Sequence, residues 1–175
     1  KIDAQEDVKG KKVILFGAGG AARAIAIQIA LEGAESLSIA NRTVERGEEL
    51  AEHINTKCKM QNAKCKVKAI SLKDNSLVEY FRKADIIVNT TSVGMKSSDT
   101  PLFPYNYISD RHLICDIVYR PLETDLLREA SKRGAKILNG LGMLIYQGSL
   151  SFKIWTGYEM PVEVVRKTLM EELKS

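Results

Sequence analysis

Residues 13–25, VILFGAGGAARAI, constrain this chain more tightly than any other stretch. Val13, Ile14, Leu15 and Phe16 form a short apolar run bounded by glycine, the pattern of a fully buried strand. Gly17, Gly19 and Gly20 allow a tight turn, and an alanine-rich amphipathic helix begins at once. Strand, glycine turn and helix in that order are the context in which Gly-x-Gly-x-x-Gly/Ala signals a dinucleotide site. Here Gly17 permits the turn, Gly19 lets the backbone approach a pyrophosphate, and Ala22 lets the helix sit close to the strand. Unpaired N–H groups at the new helix's start would face the phosphates, so Gly17, Ala18, Gly19, Gly20 and Ala21 are the candidate phosphate loop. An ordinary βα loop is the plainer alternative, and the flanking elements favour the nucleotide.

The rest of the chain repeats the alternation. Strands are predicted over residues 36–40, 66–70, 85–89, 112–118 and 136–138. Helices are predicted over residues 76–82, 123–132, 141–155 and 161–173, the last with a proline at its start. Another helix carries Gly47, Leu50, Ala51 and Ile54 on one face. Residues 96–109, with Pro101 and Pro104, read as irregular. Such alternation predicts an α/β fold: a Rossmann-like, doubly wound, mostly parallel six-stranded sheet with helices on both faces. Ligands of such sheets bind beyond the carboxyl ends of the strands. Residues 17–21, 41–46, 89–94, 117–119 and 139–143 all fall there.

Composition excludes several classes. The chain has 175 residues, 45% of them hydrophobic, which is ordinary for one globular domain. No apolar run is long enough to span a bilayer, and the polar first twelve residues are no signal peptide. The chain opens on Lys1, which reads as a fragment or a processed form. Cys58, Cys65 and Cys115 lack metal-type spacing, and their odd number argues against a disulfide framework, so a cytoplasmic setting and no metal are expected. Lys57, Lys59, Lys64, Lys66 and Lys68 cluster without interleaved aromatics, which suits a solvated connection better than a nucleic-acid groove.

The end of the second strand bears on which nucleotide. An NAD site usually places a carboxylate there to accept from the ribose hydroxyls. This chain has Asn41, then Arg42, Thr43 and, a helical turn on, Arg46. Guanidinium groups are disfavoured at a helix N-terminus unless an anion is near, and a 2′-phosphate is such an anion. Charge-assisted hydrogen bonds are worth roughly 1.5–3 kcal/mol each, so one good contact discriminates about ten- to a hundredfold. NADP is therefore expected over NAD.

Several stretches together resemble the nucleotide-binding half of the shikimate/quinate dehydrogenase family. They are residues 17–21 (GAGGA), 41–46 (NRTVER), 89–95 (NTTSVGM), 116–121 (DIVYRP) with Thr124 and Leu127, and 139–144 (NGLGML) with Gln147. The last is the most specific, and the five occur in the expected order. The resemblance implies an NADP-dependent oxidoreductase acting on shikimate or quinate. It implies Asn41, Arg42, Thr43 and Arg46 around the 2′-phosphate, Thr91 and Ser92 near the nicotinamide ribose, Ile117 beside the nicotinamide and the Gly140 carbonyl on its carboxamide. Tyr119 and Gln147 would reach the substrate. A glutamine is out of place on the helix face of Met143, Leu150 and Ile154, and an amide buried there needs partners that a ligand or a neighbouring domain would supply.

In that family the proton chemistry belongs to a Lys and Asp pair in a preceding substrate domain, so no catalytic acid or base is assigned here. His53 and His112 are expected to be structural or solvated. The implied organisation is a lead-in over residues 1–9, a nucleotide-binding unit over 10–140, and helices over 141–175 that brace the substrate domain. Val162, Val165, Leu169 and Leu173, with Leu144, Phe152 and Trp155 of the preceding helix, form apolar stripes. Part of that surface is expected to be exposed, or covered by a second copy in a homodimer. Two other readings remain: the nucleotide half of methylene-tetrahydrofolate dehydrogenase or glutamyl-tRNA reductase, and a stand-alone NADP-binding sensor module.

Overall fold

A computed structural model describes residues 7–72 and 77–173. The elements run β1 (Lys12–Phe16), α1 (Gly20–Leu31), β2 (Ser36–Asn41), α2 (Val44–Met60), β3 (Lys66–Ser71), α3 (Leu77–Lys83) and β4 (Ile86–Asn89). They continue with β5 (Leu113–Asp116), α4 (Asp125–Lys132), β6 (Lys136–Leu138), α5 (Leu141–Thr156) and α6 (Val162–Glu172). The strands form one sheet in the order β3-β2-β1-β4-β5-β6, and every neighbouring pair is parallel. This is the Rossmann-like α/β architecture. The order reverses between β1 and β4, and the crevice at their carboxyl ends is the ligand position such a sheet provides.

Strand pleat decides which side each residue faces. Val13 and Leu15 of β1 pack with α1 and α2, through Ala22, Ala26, Leu50 and Ile54. Ile14 and Phe16 point the other way, to Phe81 of α3 and Leu126 and Leu127 of α4. Right-handed crossovers require the switch: the chain travels one way from β1 to β3 and the other way from β4 to β6. Among the described residues, the α1 side of β4, β5 and β6 carries no helix of its own. It forms an apolar groove of about 200 Å³ over Val88, Leu113 and Leu138, reaching Met143.

Four local expectations are corrected. The segment before β5 holds a 3-10 turn (Tyr105–Tyr107), and its Phe103 and Ile108 are buried. Phe103 stacks on Phe16 with ring centroids 4.9 Å apart, so apolar contact rather than periodicity orders this stretch. Strand β5 is shorter than predicted, because the His112 N–H bonds the Ser109 carbonyl in a turn at one end. At the other end the Asp116 carboxylate captures the Val118 N–H. Helix α4 begins two residues late because Thr124 caps it, accepting the Leu127 N–H at 3.3 Å. In α6, Pro161 is the cap residue rather than the first helical one. Residue Ser76, predicted to open α3, lies outside the described residues, as do residues 1–6 of the lead-in.

The lysine cluster is divided among elements rather than forming one connection. Lys57 and Lys59 close α2, whereas Lys66 and Lys68 belong to β3. Helix α6 turns back on α5, where Arg166 donates to the Tyr146 hydroxyl at 3.2 Å. Leu150, Ile154, Trp155 and Val164 stand exposed on this pair, Trp155 by 82%. Gln147 is exposed too, so within this chain its amide faces solvent.

Candidate functional site

At the end of β1 the chain turns through Gly17, which is buried with φ +111. A Cβ there would meet the Thr90 hydroxyl oxygen at 2.7 Å, so both the backbone angle and the space demand glycine. Thr90 locks the turn from the neighbouring strand, its hydroxyl donating to the Phe16 carbonyl at 2.5 Å. Gly19 and Gly20 differ from Gly17: an added Cβ would find nothing within 4 Å at either. Helix α1 starts here with no side-chain cap and no acidic residue in its first turn. Its first N–H groups therefore have no side-chain partner and the helix dipole behind them, an arrangement that favours an anion.

Beyond β2, Asn41 donates to the Thr43 carbonyl at 2.7 Å and shapes the turn into α2. Arg42, Thr43 and Arg46 are exposed. Neither arginine makes an ion pair among the described residues, although Glu45 lies between them. Gly47 lets α2 press on the sheet, with Ala69 Cβ 3.2 Å from where its own would stand.

The loop after β4 rests on a buried polar network. The Asn89 amide nitrogen donates to the Val93 carbonyl and to the Asp116 carboxylate, both at 2.9 Å. Its oxygen accepts the Thr91 N–H at 2.9 Å and the Thr91 hydroxyl at 2.7 Å. Asp116 also accepts the Val118 N–H at 3.1 Å and the Thr124 hydroxyl at 2.7 Å. Burial pushes the Asp116 carboxyl above its ordinary value, and the hydrogen bonds from Thr124, Val118 and Asn89 oppose that shift. Gly94, at φ +105, packs on Thr124, and its N–H is held by Asp99 at 2.9 Å. Thr91 thus spends its hydroxyl inside the loop, while Ser92 stands exposed.

The last two clusters meet across β5 and β6. A Cβ on Gly140 would lie 1.9 Å from the Ile117 carbonyl oxygen, so the two backbones touch as only glycine allows. The Gly140 carbonyl, expected to be free for a carboxamide, accepts the Leu144 N–H at 3.0 Å as the first acceptor of α5. Asn139 fixes the entry to α5, donating to the Leu122 carbonyl at 3.3 Å and accepting the Leu141 N–H at 3.2 Å. Ile117 is half-buried and Tyr119 is 42% exposed at the same edge. Gln147 lies about two helical turns along α5 from Gly140 and faces solvent.

Sequence reasoning named the strand-end clusters and missed how they are braced. Thr90 as the lock on Gly17, Asp116 as the hub and Thr124 as a cap were not assigned. The available signal was a carboxylate ending an otherwise apolar strand, LICD. Asp116 is the one fully buried carboxylate among the described residues, and its oxygens are engaged. His112 is buried far from this edge, with Nδ1 accepting the Ser109 N–H at 3.0 Å and Nε2 on the Phe81 carbonyl at 3.1 Å. Burial holds its pKa below the usual 6.5, which fits a neutral structural ring. His53 is exposed on α2.

Residues 2–102 match the shikimate / quinate 5-dehydrogenase family, and residues 140–170 match the shikimate 5'-dehydrogenase C-terminal domain. A shikimate dehydrogenase (NADP(+)) of Methanopyrus kandleri is 43% identical over 170 residues, covering 96% of this chain and 57% of the relative. The shikimate 5-dehydrogenase of Listeria monocytogenes, solved with shikimate and NAD, is 38% identical with a TM-score of 0.85 and covers 96% of this chain and 58% of that one. A shikimate dehydrogenase solved with NADP+ is 38% identical with a TM-score of 0.82, covering 98% and 57%. The chain thus spans a little over half the length of the proteins it resembles.

Proposed function

This chain belongs to the shikimate / quinate 5-dehydrogenase family, and from that premise we propose that it is the NADP-binding portion of a shikimate dehydrogenase. The observation that carries the cofactor assignment is the uncapped start of α1, open at Gly19 and Gly20, beside the unpaired Arg42 and Arg46. Gly17, Ala18, Gly19, Gly20 and Ala21 hold the pyrophosphate, the two glycines giving the backbone N–H groups room to approach it. Asn41 shapes the turn, and Arg42, Thr43 and Arg46 clamp the 2′-phosphate. Thr91 and Ser92 line the nicotinamide ribose, Ile117 gives the ring an apolar floor, and Gly140 meets the carboxamide through its carbonyl's second lone pair. The coenzyme, when bound, supplies the hydride that interconverts a ring ketone and its alcohol.

Tyr119 and Gln147 reach across the cleft to the substrate, shikimate with quinate as the alternative. An N-terminal substrate domain supplies the Lys and Asp that move the hydroxyl proton, since every buried acid of this site is engaged. The same domain covers the exposed apolar face of α5 and α6, a second copy being the other cover considered. The free cysteines Cys58, Cys65 and Cys115 are in keeping with a reducing cytoplasm. A stand-alone sensor or the half of another two-domain dehydrogenase has no comparable support from the family match. Calorimetric titration of this chain with NADPH and with NADH tests the reading. NADPH binds about ten- to a hundredfold more tightly, and Arg42→Ala removes most of the difference. Equal affinities in the unmutated chain overturn the phosphate clamp.

A further inference from the structure

A doubly wound sheet is ordinarily covered on both faces, and its strands read as apolar runs. On the α3 side of β1, β2 and β3 this holds only near the carboxyl ends. The parallel register aligns three rows across the strands: Lys12, Ser36 and Lys66, then Ile14, Ser38 and Lys68, then Phe16, Ala40 and Ile70. The third row is core beneath Leu77 and Phe81. The first two rows carry three ammonium groups and two hydroxyls. Among the described residues helix α3, Leu77–Lys83, offers roughly 10 Å of helix and does not cover them.

The uncovered half forms a cleft of about 680 Å³, walled by Tyr80, Lys83 and Glu79 of α3 and by Glu35. That volume lies within the range of small-molecule sites. Its charges are unevenly matched. Lys12 pairs with Glu35 at 3.5 Å and Lys83 with Glu79 at 3.9 Å. Glu79's other oxygen is taken by Arg82 at 3.0 Å. Lys66 and Lys68 have no carboxylate partner among the described residues, and Lys68 Nζ lies 4.4 Å from the centre of the Tyr80 ring. The ring face holds that ammonium in place and leaves it uncompensated. Among the described residues no side chain bonds the Ser36 or Ser38 hydroxyl alongside, and neither is a buried orphan. Two residues apart on one strand face, Lys66 and Lys68 are spaced at about 7 Å, which suits two anionic groups a few bonds apart.

We propose that this cleft, at the amino ends of β1 to β3, binds a small molecule carrying two or more phosphate or carboxylate groups. Lys66 and Lys68 supply the charge and the two serines donate to the same oxygens. The assignment does not rest on the coenzyme reading, whose residues sit at the opposite ends of the strands. A nucleic-acid backbone suits the cleft less well. Among the described residues Tyr80 is the one aromatic lining the cleft, and its face already carries a lysine, so successive bases would have nothing to stack on.

The test is amide-resolved NMR titration of the chain with sodium pyrophosphate and, separately, with sodium citrate. Saturable shifts at Ser36, Ser38, Lys66 and Lys68 are expected with at least one anion, and the tighter of the two identifies the head group. The Lys66→Gln/Lys68→Gln variant, whose remaining amide spectrum should match the parent's, binds that anion at least about tenfold more weakly. Shifts confined to Gly19, Gly20, Arg42 and Arg46 overturn the proposal, as do non-saturating shifts with both anions. Unchanged affinity in the double variant overturns it equally.

Discussion

The inner wall and the outer rim of the coenzyme-binding edge are built on opposite terms. On the inner wall, Gly17 and Gly140 have no room for a side chain, and the polar atoms of Asn89 and Asp116 are engaged by the protein itself. On the rim, Gly19 and Gly20 border empty space, and Arg42 and Arg46 are exposed without ion pairs among the described residues. Residues of the same family signature thus divide into those that hold the fold and those that await a ligand. Motif membership does not separate the two groups; what each atom touches does.

Substitutions can break that division or sharpen it. The largest effect belongs to Gly140→Ala, whose new methyl would overlap the Ile117 carbonyl oxygen at 1.9 Å. A loss of more than about 3 kcal/mol in urea-unfolding stability is expected, because a backbone has no rotamer with which to escape. Near-parental stability would place Gly140 on the rim. Next comes Asn89→Ala, which strips one donor from a buried carboxylate and unties the Thr91 loop. It should cost about 2–3 kcal/mol by the same measurement. Gly19→Ala is the counter-case, since its methyl meets nothing within 4 Å. Stability should stay within about 0.5 kcal/mol of the parent, while NADPH affinity falls about tenfold by calorimetry. A drop in stability without a drop in affinity would remove Gly19 from the rim.

The smallest effect is a pH dependence. Burial raises the Asp116 pKa above 3.8, so the native state holds that proton more tightly than the unfolded chain does. Its contribution to stability is full below 3.8 and is lost as pH rises through the raised value. Asp116→Asn should therefore gain on the parent protein as pH climbs from about 4 to about 7 in a series of urea melts. A stability difference flat across that range would mean the network compensates the buried charge in full.

Legibility followed the range of the interactions. Strands β1, β4 and β5 were readable as local apolar runs and β2 and β3 as short alternating ones, and the glycine turn was readable because strand, turn and helix are consecutive. The bracing was not. Thr90 meets Phe16 across 74 positions, and Asn89 meets Asp116 across 27, distances that no periodicity encodes. The buried Phe103 looked like part of a proline-marked loop, because a single aromatic packed on Phe16 leaves no repeating pattern. Gln147 shows the complementary limit: an apolar helix face implies a cover, and α5 has none at that point within the described residues.

By itself the sequence determined that this is a parallel α/β sheet and that its chemistry gathers at the strand ends. Backbone propensity and side-chain period act over a few residues and need no distant partner. Only the tertiary structure decided which glycines are spoken for, and that Asp116 is a brace rather than a base. It also decided that Lys66 and Lys68 share an open cleft with two serines instead of a loop with Lys57. Those outcomes depend on which strands become neighbours and how far α3 reaches, and packing sets both.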